Sequence, residues 1–123
     1  MKILIFLFIL SFSNSSFSKS WHKLESSIDS IEINEEQLES KLWEKIKTMS
    51  VGYIPKQADF IYQYKIANSD LVVISGFCKT NSFFEKADLT KQEISVMDGG
   101  TCYFTAWYSI ATDSFRVDFN GEA

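Results

Sequence analysis

Histidine occurs once in this chain and cysteine twice, so the side chains that most often build metal centres and nucleophile pairs are scarce. No Cys or His stands at metal-ligand spacing. The single histidine, His22, lies near the start of the chain, where order is usually poor and a Cys-His or Ser-His pair would require a fold-back. A phosphate-binding glycine loop is missing too, because Gly99 and Gly100 join two strand-like runs and do not open a helix. The paired carboxylates Glu35 and Glu36 fall at a helix start and have an ordinary role there. Too few of the required geometric roles can be filled for catalysis, so no enzyme, metal or cofactor is expected.

Basic residues are also in the minority. The formal charge of -4 and the lack of clustered Lys and Arg argue against nucleic acid or a membrane surface as partner. Lys23, Lys41, Lys45 and Lys47 are interleaved with carboxylates, as on a solvated face. What the chain does have is 46% hydrophobic and 15% aromatic content over 123 residues, enough for one packed domain.

The one long apolar run is at the front. "MKILIFLFILSFSNSSFSKS" has a positive start at Lys2, an apolar stretch from Ile3 to Leu10 and a Ser-rich continuation, the layout of a secretory signal peptide. The stretch is short for an uncleaved anchor. Residues 1–18 are therefore read as a signal peptide, with cleavage before Trp21 as the neighbouring option, and 19–123 as one mature domain. After cleavage it would be free of the membrane, in the periplasm or outside the cell.

Export gives the cysteines a meaning. An even count in an oxidising compartment favours a disulfide between Cys78 and Cys102. Closing a loop of about 24 residues would contribute roughly 3 to 4 kcal/mol by restricting the unfolded chain.

Periodicity supplies the architecture. In "INEEQL", Asn34 can cap a helix, Gln37 holds the capping-box position, and Ile33 with Leu38 makes a hydrophobic staple. Leu38, Leu42, Ile46 and Met49 form a stripe at helical spacing, with Trp43 beside it, so a helix is expected over 35–49. Trp21, Leu24, Ile28 and Ile31 suggest a weaker first helix. After Pro55 the period becomes two. Phe60 to Ile66 and "LVVISGFC" read as a hairpin about Asn68–Asp70, which sets Ile66 opposite Val72, Tyr64 opposite Ile74, Tyr62 opposite Gly76 and Phe60 opposite Cys78.

Further on, a loop at Asp98–Gly100, with Gly100 left-handed, would oppose Val96 to Cys102 and Ile94 to Phe104. A turn at "ATDS" would pair Ile110 with Phe115, Tyr108 with Val117 and Ala106 with Phe119. One face then collects Ile94, Val96, Cys102, Phe104, Ala106, Tyr108, Ile110, Phe115, Val117 and Phe119. The expected fold is α+β: an N-terminal helix packed on one face of a curved antiparallel sheet of about five strands.

The other face of that sheet would carry Tyr103, Thr105, Trp107 and Ser109 beside Arg116, Asp118 and Asn120. Tyr103, Trp107 and Arg116 are the candidate surface for a ligand or partner, since Trp, Tyr and Arg are common interface anchors. The alternatives are that Trp107 and Arg116 stack on one another, or that the segment around Trp21 folds over them.

One helix followed by an antiparallel sheet resembles the cystatin-like and NTF2-like architectures over roughly residues 34 to 120. A cystatin would inhibit proteases through a Gln-Val-x-Gly hairpin loop and a Pro-Trp hairpin; here the loops read "NSD" and "ATDS". The ending "DGGTCYF…SFRVDFNGEA", with the upstream "GFC", resembles small exported bacterial proteins of unknown function. The reading that follows is an exported binding module acting by contact with a protein or small ligand, an inhibitor or immunity protein being one form. The alternative is a small thiol-dependent hydrolase using Cys102 or Cys78.

Overall fold

The computed structural model describes residues 20–50, 52–79, 87–94 and 100–119. The expected signal peptide 1–18, the expected partner Val96 and the candidate residue Asn120 lie outside them. Within them the fold is α+β, with one helix and an open five-stranded sheet in the order β1-β2-β3-β4-β5. The strands are β1 (Trp21–Lys23), β2 (Phe60–Ile66), β3 (Leu71–Cys78), β4 (Tyr103–Ser109) and β5 (Ser114–Phe119).

The helix, α1, spans Glu35–Ile46. Asn34 caps it: its side chain accepts the Gln37 N–H at 3.0 Å, while Glu35 and Glu36 occupy the first turn, where the helix dipole favours negative charge. It closes earlier than expected, with the N–H groups of Thr48 and Met49 bonding back to Lys45 and Ile46. Met49 still packs against the core.

Three expectations about the beginning of the domain are corrected. The helix is not its first element, and the sheet is mixed, because β1 precedes α1 and pairs in parallel with β2, Trp21 opposite Tyr62. The proposed weak helix over 21–31 does not form. "ESSIDS" has little helix propensity, and the edge of β2 offers this stretch backbone partners instead. Leu24 N–H donates to Tyr64 O at 2.8 Å and Ile28 N–H to Ile66 O at 3.1 Å, while the Ser27 hydroxyl accepts the Ile66 N–H.

The first hairpin has the expected register throughout, including Phe60 with Cys78 and Tyr62 with Gly76. The Asn68 carboxamide accepts the N–H groups of Asp70 and Leu71 and so shapes the turn. Room at Gly76 is taken up from the other side, by Phe104 on β4.

Further along, two pairings differ from expectation. β4 pairs with β3, so Phe104 lies between Gly76 and Phe119, and Ile94 is not opposite it. The last hairpin is shifted by two residues: Tyr108 faces Phe115, Ala106 faces Val117 and Phe104 faces Phe119. A two-residue shift preserves the side of the sheet, so the apolar residues of β4 and β5 still face the helix. The four residues from Ile110 to Asp113 form the turn, with Asp113 left-handed at φ 52°. Asp70 of the first hairpin fixes it, accepting Ala111 N–H at 2.7 Å and the Ser109 hydroxyl at 3.0 Å.

The core lies between α1 and the sheet. Leu38, Leu42, Trp43 and Ile46 meet Phe60, Tyr62, Ile66, Val72, Ile74, Phe104, Ala106 and Phe119, all buried. Trp21 stacks on Tyr62 with ring centroids 4.4 Å apart, and Trp43 N–H donates to the Tyr62 hydroxyl at 2.7 Å. Cys78 and Cys102 form a disulfide at the end of the β3–β4 pair, with Cα atoms 5.1 Å apart. Phe77 faces Tyr103 there, so the bridge joins the next residues in register. Cys78 is buried on the helix face, whereas Cys102 is exposed in a 3-10 turn, Gly100–Cys102, which Gly100 opens at φ +59°.

Candidate functional site

The sheet face turned away from α1 is divided in two. Over one half lies the segment 88–94, tied down chiefly by the side chain of Gln63. Gln63, 1% exposed, donates its carboxamide N–H groups to the carbonyls of Leu89 and Gln92, and its oxygen accepts the Ile94 N–H at 2.9 Å. Beneath this strap, Phe77 and Tyr103 form a small apolar cluster with Ile61, Leu89 and Ile94. Tyr103 is therefore only 5% exposed, and its hydroxyl donates to the Ile94 carbonyl at 3.2 Å. The expectation that Tyr103 stands on an open surface is corrected: the strap covers it.

The other half is open, and pairing across β2 to β5 lays out a row of Lys65, Val73, Trp107 and Arg116. Lys65, Val73 and Trp107 are half-buried and Arg116 is exposed. The Arg116 guanidinium carbon sits 3.9 Å from the centroid of the Trp107 ring, so these two do stack. Such a contact contributes about 0.5–1 kcal/mol at an exposed site. It leaves the outer face of the guanidinium and its N–H donors toward solvent. Trp21 takes no part, being on the helix side against Tyr62. Neighbouring rows add Ser109 with Ser114, and Ser75 with Thr105 and Asp118. Lys65 and Arg116 are three strand spacings apart, about 14 Å.

His22 is part of β1, opposite Gln63, and so is more ordered than its sequence position suggested. Asp88, on the strap, is lowered by its side-chain and backbone hydrogen bonds with Thr90, and the other titratable groups with shifted behaviour lie on the helix side and have structural partners. Burial, the nearby Glu39 charge and a Trp43 hydrogen bond act on Tyr62, and the net effect raises its hydroxyl pKa. Tyr64 is likewise raised, by burial and by donating to Glu35 at 2.7 Å. Tyr108 is pushed up to about 12 by burial and by its hydrogen bond to Asp113. Asp113 itself is lowered, first by that bond and then by Lys41, 3.0 Å away. Glu39 accepts Trp21 N–H and Gln57 N–H, one on each oxygen. Among the described residues no cluster of His, Cys, Asp or Glu could hold a metal ion. A groove of about 440 Å³ between the end of α1 and residues 52–57 is lined by Trp43, Ile46, Met49, Ile54 and Pro55 among others.

Gln63 was not singled out by sequence reasoning. An amide between Tyr62 and Tyr64 reads as the solvated half of an alternating strand, and its partners are 26 to 31 residues away. No protein-family model, curated protein or solved structure matches this chain.

Proposed function

We propose that this chain is an exported binding protein that acts by contact, through the open half of its outer sheet face. The observation that carries this reading is the Trp107–Arg116 stack, set between half-buried Val73 and solvent on a surface that neither α1 nor the strap covers. A large ring with a free guanidinium face beside hydroxyl and carboxylate groups suits a protein or small-ligand contact. An inhibitor or immunity protein is one form such a contact protein takes. The Cys78–Cys102 disulfide supports export to an oxidising compartment. It also engages the two thiols on which a thiol-dependent hydrolase would have to draw.

The test is affinity capture with immobilised disulfide-bonded protein from the fluid into which its host exports it. A specific partner is expected with the wild type and its loss with Trp107→Ala. Undiminished capture by Trp107→Ala would place the contact elsewhere, and a count of one or more reactive thiols in the exported protein under denaturing, non-reducing conditions would favour the hydrolase.

A further inference from the structure

The two edges of the sheet are unlike. β1 is three residues long, and just beyond it Glu25 N–H donates to Thr90 O at 2.7 Å, so that edge runs into the strap. β5 is six residues long, contains no proline, and pairs with β4 without interruption from Phe119 to Ser114. Among the described residues, no backbone hydrogen bond reaches β5 from outside its own ladder. A regular edge without proline, bulge or cover is a template for another strand.

Alternation shows which groups of β5 point outward. Ala67 N–H donates to Leu71 O and Ile110 N–H to Asp70 O, each one step beyond a ladder and in its register. Hydrogen-bonded pairs alternate in antiparallel ladders. Odd-numbered residues of β3 therefore bond to β2 and even-numbered ones to β4. On β4 this leaves Thr105, Trp107 and Ser109 to bond Asp118, Arg116 and Ser114. The N–H and C=O groups of Phe115, Val117 and Phe119 are thus directed away from the sheet.

The side chains of this edge complement themselves. Arg116 and Asp118 are both exposed on the same face, and the ion pair among the described residues is Lys41–Asp113, which involves neither. Phe115 and Val117 are half-buried on the helix face.

We propose that β5 pairs antiparallel with β5 of a second copy of this chain, in register about Val117. Val117 then exchanges backbone hydrogen bonds with Val117 of the second copy, and Phe115 does so with Phe119. Arg116 and Asp118 face each other in the non-hydrogen-bonded positions, where opposite side chains come closest. The charges also select this register. Sliding the strands by two residues sets Arg116 against Arg116 or Asp118 against Asp118, and like charges directly opposite are unfavourable. The pairing uses the same surface on both copies, so it closes as a dimer and does not propagate. It shares Arg116 with the Trp107 surface, but its readout, self-association of the protein alone, is separate from capture of a partner.

Sedimentation of the disulfide-bonded protein over a concentration series is expected to show a doubling of mass. Arg116→Asp and Asp118→Arg each set like charges opposite and are expected to stay monomeric where the wild type is dimeric. Mixed together they are expected to form a heterodimer, since one carries only acids where the other carries only arginines. The Val117 amide of the wild type should gain protection from hydrogen exchange as concentration rises, a readout that needs no variant. A wild type that stays monomeric, a dimer that both variants retain, a mixture that remains monomeric, or a Val117 amide indifferent to concentration would overturn the proposal.

Discussion

A β-carbon placed on Gly76 would stand 2.2 Å from Cζ of Phe104 and 2.3 Å from its Cε2, so the ring occupies the space that any other residue at 76 would need. Phe104 is fully buried and packs against Phe60 and Phe119, which leaves it little freedom to move aside. Gly76→Ala is expected to destabilise the protein by about 1–3 kcal/mol through overpacking. Urea denaturation checks this, and the cost should shrink when the same change is made with Phe104→Leu, because the smaller side chain vacates the contact.

Gln63 holds the strap by three hydrogen bonds from a fully buried position. Gln63→Met keeps the bulk but leaves two carbonyls and one N–H of the strap without these partners. A loss of about 1–3 kcal/mol is expected, with faster proteolysis within 87–94. Gln63→Glu should be worse, since a carboxylate meets the carbonyls of Leu89 and Gln92 with no donor to offer. If 87–94 is equally protected in both variants, the amide does not anchor the strap.

The Cys78–Cys102 bridge closes a separation of 24 residues. Its removal by Cys78→Ser with Cys102→Ser is expected to cost roughly 3 to 4 kcal/mol on the chain-entropy account. Thermal or urea unfolding of the double variant beside the wild type measures the difference.

Alkali should weaken the fold. Tyr62, Tyr64 and Tyr108 all have raised pKa values in the folded protein. Their share of stability is complete below the ordinary tyrosine pKa of 10.0 and is lost as pH climbs toward the folded values, because the unfolded chain gives up these protons first. For Tyr108 the window runs from 10.0 to about 12. Tyr108→Phe is expected to flatten the decline of stability across that window, measured by urea unfolding at successive pH values. In acid the sign reverses: Asp113 has a lowered pKa, so its contribution is present above the ordinary value of 3.8 and fades as pH falls through the folded value.

How much of this was legible in the sequence depended on how local the cause was. Asn34 and its cap are local, and the β2–β3 register follows from a turn that Asn68 makes with its own neighbours. The β4–β5 turn was placed one residue late, which shifts the register by two, because its shape is set from another hairpin, by Asp70. The β3–β4 pair was missed, since Ile94 and Val96 offered a nearer apolar partner for β4. Yet a bridge between Cys78 and Cys102 requires residues 77 and 103 to be neighbours, as they are. Of the candidate surface, Trp107 and Arg116 could be read from alternation. The burial of Tyr103 could not, because the strap that hides it is held by Gln63 from a different strand.

The parallel pairing of Trp21 with Tyr62 also bears on the order in which the chain takes shape. A strand whose partner comes some forty residues later has nothing to join until that partner exists, and the wait is set by chain connectivity, not by local propensity. As the protein emerges from its amino end, α1 has its own cap and can form early, while Trp21–Lys23 stays single until Phe60–Ile66 has followed. The covalent link must wait longer still, since Cys102 follows both β2 and β3 in the chain. Trp21–Lys23, made before α1, is therefore held in place only after α1 can form.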